Sequence, residues 1–352
     1  MKGSSNIKID SKFYRQHDYL IYCNDVLVRW LKWFDENKQC QVSIKFKNDM
    51  EMQDFQDKAE ADIMWWLENN GYKDEMYELN RRHILCSLVA DFCHYMLESF
   101  NCASKMKPAV AYALLRKPLR DNLAYVEWLR DDPKDLIDKL LHGTPEEYDL
   151  SHKKDVKRER INRIYETYGI QRVQNMFEFR YEKNSEMSLE RVWNKANHLV
   201  TTQNYTKSEN GELNFVFVTM ERWEQMTEYY YSVVPLVMSY AVELIVGMFE
   251  KIAGVNIFTQ TINQIMLMLH QAYGAGDAYY IDTKKTCLIC IQIYRIDNGR
   301  RNGNIFKRQI FWDLIGILIC IIFKHKRCIC FITGKYITTC IVRCTFLINL
   351  LL

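Results

Sequence analysis

The sequence lacks the short motifs by which enzymes hold nucleotides or activate a serine. No Walker A loop, GxGxxG fingerprint or GxSxG elbow occurs in the 352 residues. These motifs supply the phosphate cradle or the nucleophile of many nucleotide-dependent enzymes and hydrolases. Gly274 and Gly276 flank one alanine, and this segment is too short to cradle a phosphate. The sequence therefore argues against nucleotide-driven and serine-hydrolase chemistry, and we expect no cofactor.

Metal-binding motifs are also missing. The chain has no pair of Glu-x-x-His motifs, as a di-iron helical bundle would require. His83, Cys86 and Cys93 share one predicted helix face with His94 beside them, but no further ligand pair follows at zinc-site spacing. The CxxC at 287–290 has no suitably spaced partner either. We therefore interpret these side chains as core packing and expect no metal.

The chain further lacks an apolar N-terminal segment, an interdomain linker and any internal repeat. Residues 1–8 contain no apolar run, which argues against a secretory signal. No stretch rich in glycine, proline or serine divides the region 1–280, which favours one domain over two. The five cysteines of this region are expected to be free thiols in a reducing compartment. We predict a cytoplasmic protein whose domain spans residues 1–280.

What the sequence does contain is helical periodicity. Apolar side chains recur three or four positions apart and predict helices over residues 11–36, 49–70, 74–100, 108–130 and 220–253. The predicted fold is an all-α multi-helix bundle.

Local signals refine these helices. Pro118 should kink the fourth one by removing a backbone donor. Thr144 and Glu147 form a capping box that begins another helix. Residues 233–249 are apolar enough to suggest a membrane span. Pro235 and Glu243 lie within this short segment, however, so we favour a central core helix.

One β-hairpin is predicted at about residues 199–218. Residues 199–205 and 212–218 have the composition of strands, and Asn210 and Gly211 lie between them. The Asn-Gly pair is the strongest short signal for a two-residue hairpin turn.

The C-terminal part of the chain obeys different rules. From Thr283 to Leu352 there is no Ala, Glu, Met, Ser or Pro, but there are sixteen Ile and seven Cys. This segment has twelve basic and two acidic side chains, a net charge of +10, whereas the region 1–282 has 35 basic and 42 acidic ones, a net charge of −7. Residues 281–352 are therefore a basic, apolar, Ile- and Cys-rich tail. The acidic body does not favour extended nucleic-acid binding.

Two explanations of the tail compete. In the first, residues 310–323 and 328–352 form a membrane hairpin around the basic segment 324–327, although Lys335 and Arg343 interrupt its second half. In the second, the tail is the out-of-frame translation of an AT-rich gene. The composition changes without an amphipathic or capping pattern taking over, which favours the second explanation.

Arg191 and His198 are the one pair with a predicted catalytic role. Seven helical steps make about two turns, so on a continuous helix both side chains would share a face. The spacing resembles the Arg-x(4–6)-His motif of HEPN domains, which are helical bacterial nucleases and partner modules common in toxin–antitoxin and abortive-infection systems. The resemblance covers one helix, and Val192 stands where the family usually has a polar residue.

The resemblance implies a homodimer in which Arg191 and His198 meet across the interface and cleave RNA without a metal. His198 would transfer the proton of the ribose 2′-hydroxyl, and Arg191 would bind the phosphate charge. The alternative is that Arg191 pairs with Glu186 or Glu190 and that His198 caps or packs near the hairpin.

A broader pattern joins Leu115 and Arg116, residues 122–128, residues 193–202 and residues 214–217. It resembles uncharacterised helical proteins of bacteria and phages that are associated with defence loci. The leading hypothesis is therefore a bacterial defence or toxin–antitoxin protein with HEPN-like, metal-independent ribonuclease activity. The alternatives are a non-catalytic helical interaction or sensor module, and a membrane-anchored protein if the tail is genuine.

Overall fold

A computed structural model describes residues 9–168, 175–185, 188–216 and 218–255 of the chain. The predicted tail at 281–352, with its two explanations, lies outside the described residues. So do Glu186, Phe217 and the part of the predicted domain from 256 to 280.

The described residues form eleven α-helices and no strand, which confirms the predicted all-α fold. The helices are α1 (Tyr14–Glu36), α2 (Asp49–Asn69), α3 (Lys73–Ser104), α4 (Pro108–Arg116), α5 (Leu123–Asp131), α6 (Pro133–His142), α7 (Pro145–Tyr148), α8 (Lys154–Tyr168), α9 (Met176–Tyr181), α10 (Leu189–Asn197) and α11 (Met220–Ala253). A 3₁₀ turn at Ser11–Phe13 precedes α1, and a π-helical turn at Lys117–Asn122 joins α4 to α5.

Caps explain where several helices begin. The side chain of Asn48 accepts a hydrogen bond from the backbone N–H of Glu51 and opens α2. The predicted capping box of α7 is confirmed, because Thr144 N–H donates to Glu147 Oε1 over 3.0 Å. Asp132 caps α6, a helix that the sequence did not indicate, by accepting from the N–H of Asp135.

Pro118, where the sequence predicts a kink, interrupts the regular α-helical hydrogen bonding of this segment. It lies at the start of the π-helical turn between α4 and α5. A π-helical turn spreads its hydrogen bonds over five residues, so the chain continues past the missing proline donor without ending the helix.

Helix α11 lies at the centre of the core and contacts α1, α3, α4, α5 and α9. Buried hydroxyl groups tie it to its neighbours. Tyr19 Oη lies 2.6 Å from Ser239 Oγ, and Ser99 Oγ lies 2.7 Å from Tyr230 Oη. Among the described helices α11 is the one long and apolar enough to cross a membrane, and 89% of its most apolar stretch is buried inside the protein. This burial agrees with the predicted core helix.

A smaller apolar cluster lies between α2, α3 and α6. Trp66, Tyr72 and Met76 are buried there, and Trp66 stacks on Tyr72 with ring centroids 5.6 Å apart. Helix α2 is bent at Asp62, whose backbone is extended, and Asp62 Oδ1 accepts from the N–H of Trp65 to restart the helix.

The predicted β-hairpin is not confirmed. The described part of residues 199–218 consists of turns and loop, and two of its backbone hydrogen bonds join residues more than three positions apart. These are Ser208 N–H to Thr201 O at 2.9 Å and Asn214 N–H to Leu199 O at 2.8 Å. Gly211 has a φ of +84°. Polar side chains, and not a strand ladder, satisfy much of this segment's backbone.

Candidate functional site

Helix α10 presents Arg191 but not His198. Ser188 caps the helix by accepting from the N–H of Glu190, and Trp193 anchors it in the core. The helix ends at Asn197, and His198 has an extended backbone with φ −130° and ψ 131°. The predicted sharing of one helix face assumed a continuous helix, and the helix instead ends one residue before His198.

Arg191 fastens α10 to the loop that follows it. The side chain is half-buried, and its Nε donates to the carbonyl of Tyr205 over 3.2 Å. The predicted alternative partner Glu190 instead contacts Arg120, with Oε2 3.2 Å from the guanidinium Nε. The other alternative, Glu186, lies outside the described residues. No described residue accepts a hydrogen bond from the two terminal nitrogens of Arg191.

His198 points to solvent. Its residue is exposed, and none of the hydrogen bonds within the described part of the chain involves its imidazole. The backbone carbonyl of His198 accepts from the amide Nδ2 of Asn214 over 2.8 Å. The backbone of His198 thus belongs to the loop framework, while its side chain is left available to an external group.

Charged side chains of both signs surround a small depression next to Arg191. Lys195 lies one helical turn further along α10, and Arg222 lies in the first turn of α11. Arg222 Nη1 lies 3.7 Å from a carboxylate oxygen of Glu209 and 3.8 Å from one of Glu212. Desolvation, followed by the repulsion of Arg222, lowers the pKa of Lys195. The depression has a volume of about 20 Å³, which suits a water molecule and not a nucleotide.

Four large apolar side chains are exposed beside His198. Leu199 is 60% exposed, Val200 58%, Val216 51% and Met220 67%. We call these four residues the loop surface. Leu199, Val200 and Val216 lie on the segment between α10 and α11, which the backbone bond from Asn214 to Leu199 closes, and Met220 is the first residue of α11. Clustered exposed apolar side chains mark interaction sites more often than isolated ones do.

The sequence did not reveal the loop surface. Leu199, Val200 and Val216 fall in the two stretches that the sequence predicts to be strands of a hairpin. One signal for a loop was available, because Thr, Gln, Asn and Ser residues are frequent between 201 and 214. Side chains of these types form hydrogen bonds with nearby backbone groups, and such bonds compete with those of a strand ladder.

A buried ion pair is the other feature that sequence reasoning missed. Arg180 of α9 is fully buried and pairs through Nη1 with Oε1 of Glu127 on α5. Arg180 Nε also donates to the carbonyl of Leu119 over 2.6 Å, and Tyr240 Oη of α11 donates to Glu127 over 3.0 Å. Although burial opposes its charge, the surrounding Glu127 and Tyr181 raise the pKa of Arg180. The pair has no route to solvent and connects helices.

His83, Cys86 and Cys93 are the side chains that the sequence offers as candidate metal ligands and that we interpret as core packing. Within the described ranges no group of three or more His, Cys, Asp or Glu side chains converges as a metal site would require. Cys93 is buried and His83 is exposed, while Cys86 contacts Cys40.

Comparisons of the chain with protein-family models, with curated proteins and with solved structures find no match. The proposals below rest on the geometry of the described residues.

Proposed function

We propose that the protein is a helical interaction module that self-associates through the loop surface of Leu199, Val200, Val216 and Met220. The observation that carries this proposal is the exposure of all four side chains within residues 199–220. Exposed apolar surface is unfavourable in water, and burial against a partner would remove that cost.

A second copy of the chain is the partner that the charges favour. Lys195 and Arg222 line the small depression together with Glu209 and Glu212, so the loop and the helix ends that flank it carry both signs. In a two-fold symmetric dimer the same patch of each copy faces the other, and a patch with both signs is complementary to itself. An apolar centre with a charged rim is the usual composition of such an interface.

The test is the mass of the full chain in solution for a matched pair of double variants. Leu199→Ser with Met220→Ser removes two apolar side chains from the loop surface. Val28→Ser with Met50→Ser removes two exposed apolar side chains from α1 and α2, where Val28 is 44% and Met50 83% exposed. We expect light scattering after size-exclusion chromatography to give a monomer for the first double variant and a dimer for the second. A dimer for both would refute an interface at the loop surface.

The second candidate function is a HEPN-like, metal-independent ribonuclease in a bacterial defence or toxin–antitoxin system. It is favoured by the exposed imidazole of His198 and by the two terminal nitrogens of Arg191 that no described residue binds. In this mechanism His198 takes the 2′-hydroxyl proton of RNA, and the oxygen attacks the adjacent phosphorus. Arg191 stabilises the charge on the phosphate, and the 5′-oxygen leaves.

RNA cleavage separates the two candidates, because both involve a dimer. A ribonuclease requires that His198→Ala and Arg191→Ala abolish cleavage of single-stranded RNA, and growth arrest on expression, while the dimer persists. A purified wild-type dimer that leaves RNA intact would remove the ribonuclease and retain the interaction module. His83→Ala is the matched control, since His83 is another exposed histidine.

The proposed location is the cytoplasm, and a membrane anchor through residues 310–352 is the alternative. Burial of α11 supports the first, because the apolar stretch of this helix already has protein neighbours. Fractionation of the full-length protein tests it: recovery with the soluble fraction agrees with a cytoplasmic protein, and recovery with membranes that resists high salt contradicts it.

A further inference from the structure

Two cysteine thiols touch each other although 46 positions separate them in the chain. Cys40 follows α1, and its Sγ lies 3.5 Å from the Sγ of Cys86 on α3. Both cysteines are unoxidised and half-buried. Of the other cysteines that the structure describes, Cys23 and Cys93 are fully buried, and Cys102 is half-buried.

Arg82 holds the backbone around Cys40 in place. Its Nη1 donates to the carbonyl of Gln39 over 2.8 Å and to that of Gln41 over 2.9 Å, and these two residues flank Cys40. Arg82 and Cys86 are four residues apart on α3 and therefore lie on the same side of the helix. Helix α3 therefore carries Cys86 and, through Arg82, also holds the backbone on both sides of Cys40.

Small molecules can reach Cys40 from a cleft of about 300 Å³, which we call the linker cleft. Its walls come from the segment after α1, from α2 and from α3. Cys40 and Val42 come from the first of these, Phe55 and Ile63 from α2, and His83 from α3. Cys40 therefore has solvent access on one side and a second thiol on the other.

We propose that Cys40 and Cys86 form a reversible dithiol–disulfide site that reacts with low-molecular-weight disulfides such as glutathione disulfide. This site is independent of the self-association proposed above, since it lies on α3 and on the segment between α1 and α2.

The reaction proceeds in two exchange steps. The Cys40 thiol loses its proton and attacks one sulfur of glutathione disulfide, which forms a mixed disulfide and releases one glutathione thiolate. The Cys86 thiol then loses its proton and attacks the Cys40 sulfur, which releases the second glutathione thiolate. Two protein thiols are oxidised, and one glutathione disulfide is reduced to two glutathione molecules.

The order of attack follows from the environment of each thiol. Burial, together with the neighbouring Cys40, raises the pKa of Cys86 to about 12. Cys86 is therefore a poor first nucleophile, whereas Cys40 lines the linker cleft. When Cys40 is part of a mixed disulfide, it no longer has a thiol. The hydrogen bond between the two thiols and the charge interaction with Cys40 then no longer contribute to the raised pKa of Cys86.

Peptide mapping of the oxidised full chain tests the proposal. The reduced protein is incubated with glutathione disulfide, alkylated and cleaved with trypsin, which cuts after Lys and Arg. Cys40 then lies in the peptide 39–45, and Cys86 lies in the peptide 83–105 together with Cys93 and Cys102. We expect these two peptides to be cross-linked, and fragmentation of the product to place the bond at Cys86.

Variants and a reversal step complete the experiment. Cys40→Ser and Cys86→Ser should each abolish the cross-linked peptide, Cys102→Ser should retain it, and dithiothreitol should restore both free thiols in the wild type. A stable glutathione adduct on Cys40 without the cross-link would overturn the proposal. So would preferential bonding of Cys40 or Cys86 to any other cysteine of the chain. Both outcomes are read on the wild-type protein and do not depend on the folding of a variant.

Discussion

The guanidinium of Arg180 is the largest charged group that the described part of the protein removes completely from water. Its partner Glu127 lies 53 positions away, in a helix that otherwise buries apolar side chains. Nothing in a single sequence indicates that two charges so far apart meet, because helical periodicity gives the face of a side chain and not its partner. A buried charge without a partner would be strongly unfavourable, so the two residues depend on each other.

Breaking the Arg180–Glu127 pair should destabilise the protein far more than breaking an exposed pair. We expect Glu127→Ala to lower the free energy of unfolding by about 3–5 kcal/mol, because Arg180 stays buried without its counter-charge. Arg163→Ala removes a half-exposed partner of Asp131, with a 2.6 Å contact, and should cost about 1 kcal/mol or less. Urea denaturation at pH 7 measures both values. Equal losses for the two variants would contradict the structural role of the buried pair.

Lys157 should make stability depend on pH in the alkaline range. Burial, followed by the nearby Arg120 and Arg180, lowers the pKa of Lys157 to about 8. Because the folded-state pKa lies below that of the unfolded chain, the unfolded state holds the proton more tightly at pH values between them. The penalty is therefore full below about pH 8 and decreases as the pH rises toward the unfolded value.

Replacing Lys157 with Met isolates this effect from the other groups that titrate at high pH. We expect Lys157→Met to be more stable than the wild type at pH 7, and this advantage to shrink at pH 9. The midpoints of urea denaturation of both proteins at the two pH values provide the comparison. An advantage that grows from pH 7 to pH 9 would show that the sign of the shift is wrong.

At the scale of single elements, helix ends were predicted well where caps are local. The ends of α2, the capping box of α7 and the boundaries of α11 at Thr219 and Gly254 all follow from side chains within four residues of the boundary. Such signals are readable because donor and acceptor are close in sequence.

The segment from His198 to Val218 shows why other elements could not be predicted. Strand-like composition and an Asn-Gly pair indicated a hairpin, but a hairpin needs a ladder that the whole segment sustains. Ser208 and Asn214 instead bond to the opposite side of the loop through their side chains. Helix α10 ends at Asn197, so His198 lies just past the helix on which its predicted pairing with Arg191 depended.

Helix α6 offers a direct test of a cap that the structure reveals. The Asp132 side chain accepts from the N–H of Asp135 over 3.0 Å, and Pro133 occupies the first helical position. Asp132→Ala should lower the free energy of unfolding by about 1 kcal/mol. Asp132→Asn should lower it much less, because the asparagine side chain can accept the same capping hydrogen bond. Thermal or urea denaturation measures both. Identical losses for Ala and Asn would mean that the carboxylate contributes through its charge and not through the cap.

At the scale of the whole molecule, α11 organises the core and the loop surface lies where this helix begins. The surrounding helices cover the apolar stretch of α11, so most of this stretch is buried within a single chain. Met220, at the first position of the helix, remains largely exposed together with Leu199, Val200 and Val216. The described protein thus has a closed core and a separate apolar patch, as expected of a domain that folds alone and then associates.

The central claim is that this patch joins two copies of the chain, and sedimentation equilibrium of the full-length wild type over a dilution series tests it most directly. We predict a mass near twice 42.2 kDa at high concentration that falls toward 42.2 kDa on dilution. Leu199→Ser with Met220→Ser should shift the midpoint of this transition to at least tenfold higher concentration. A wild type that has the mass of a single chain at every concentration, or a double variant that dimerises as tightly as the wild type, would contradict the claim.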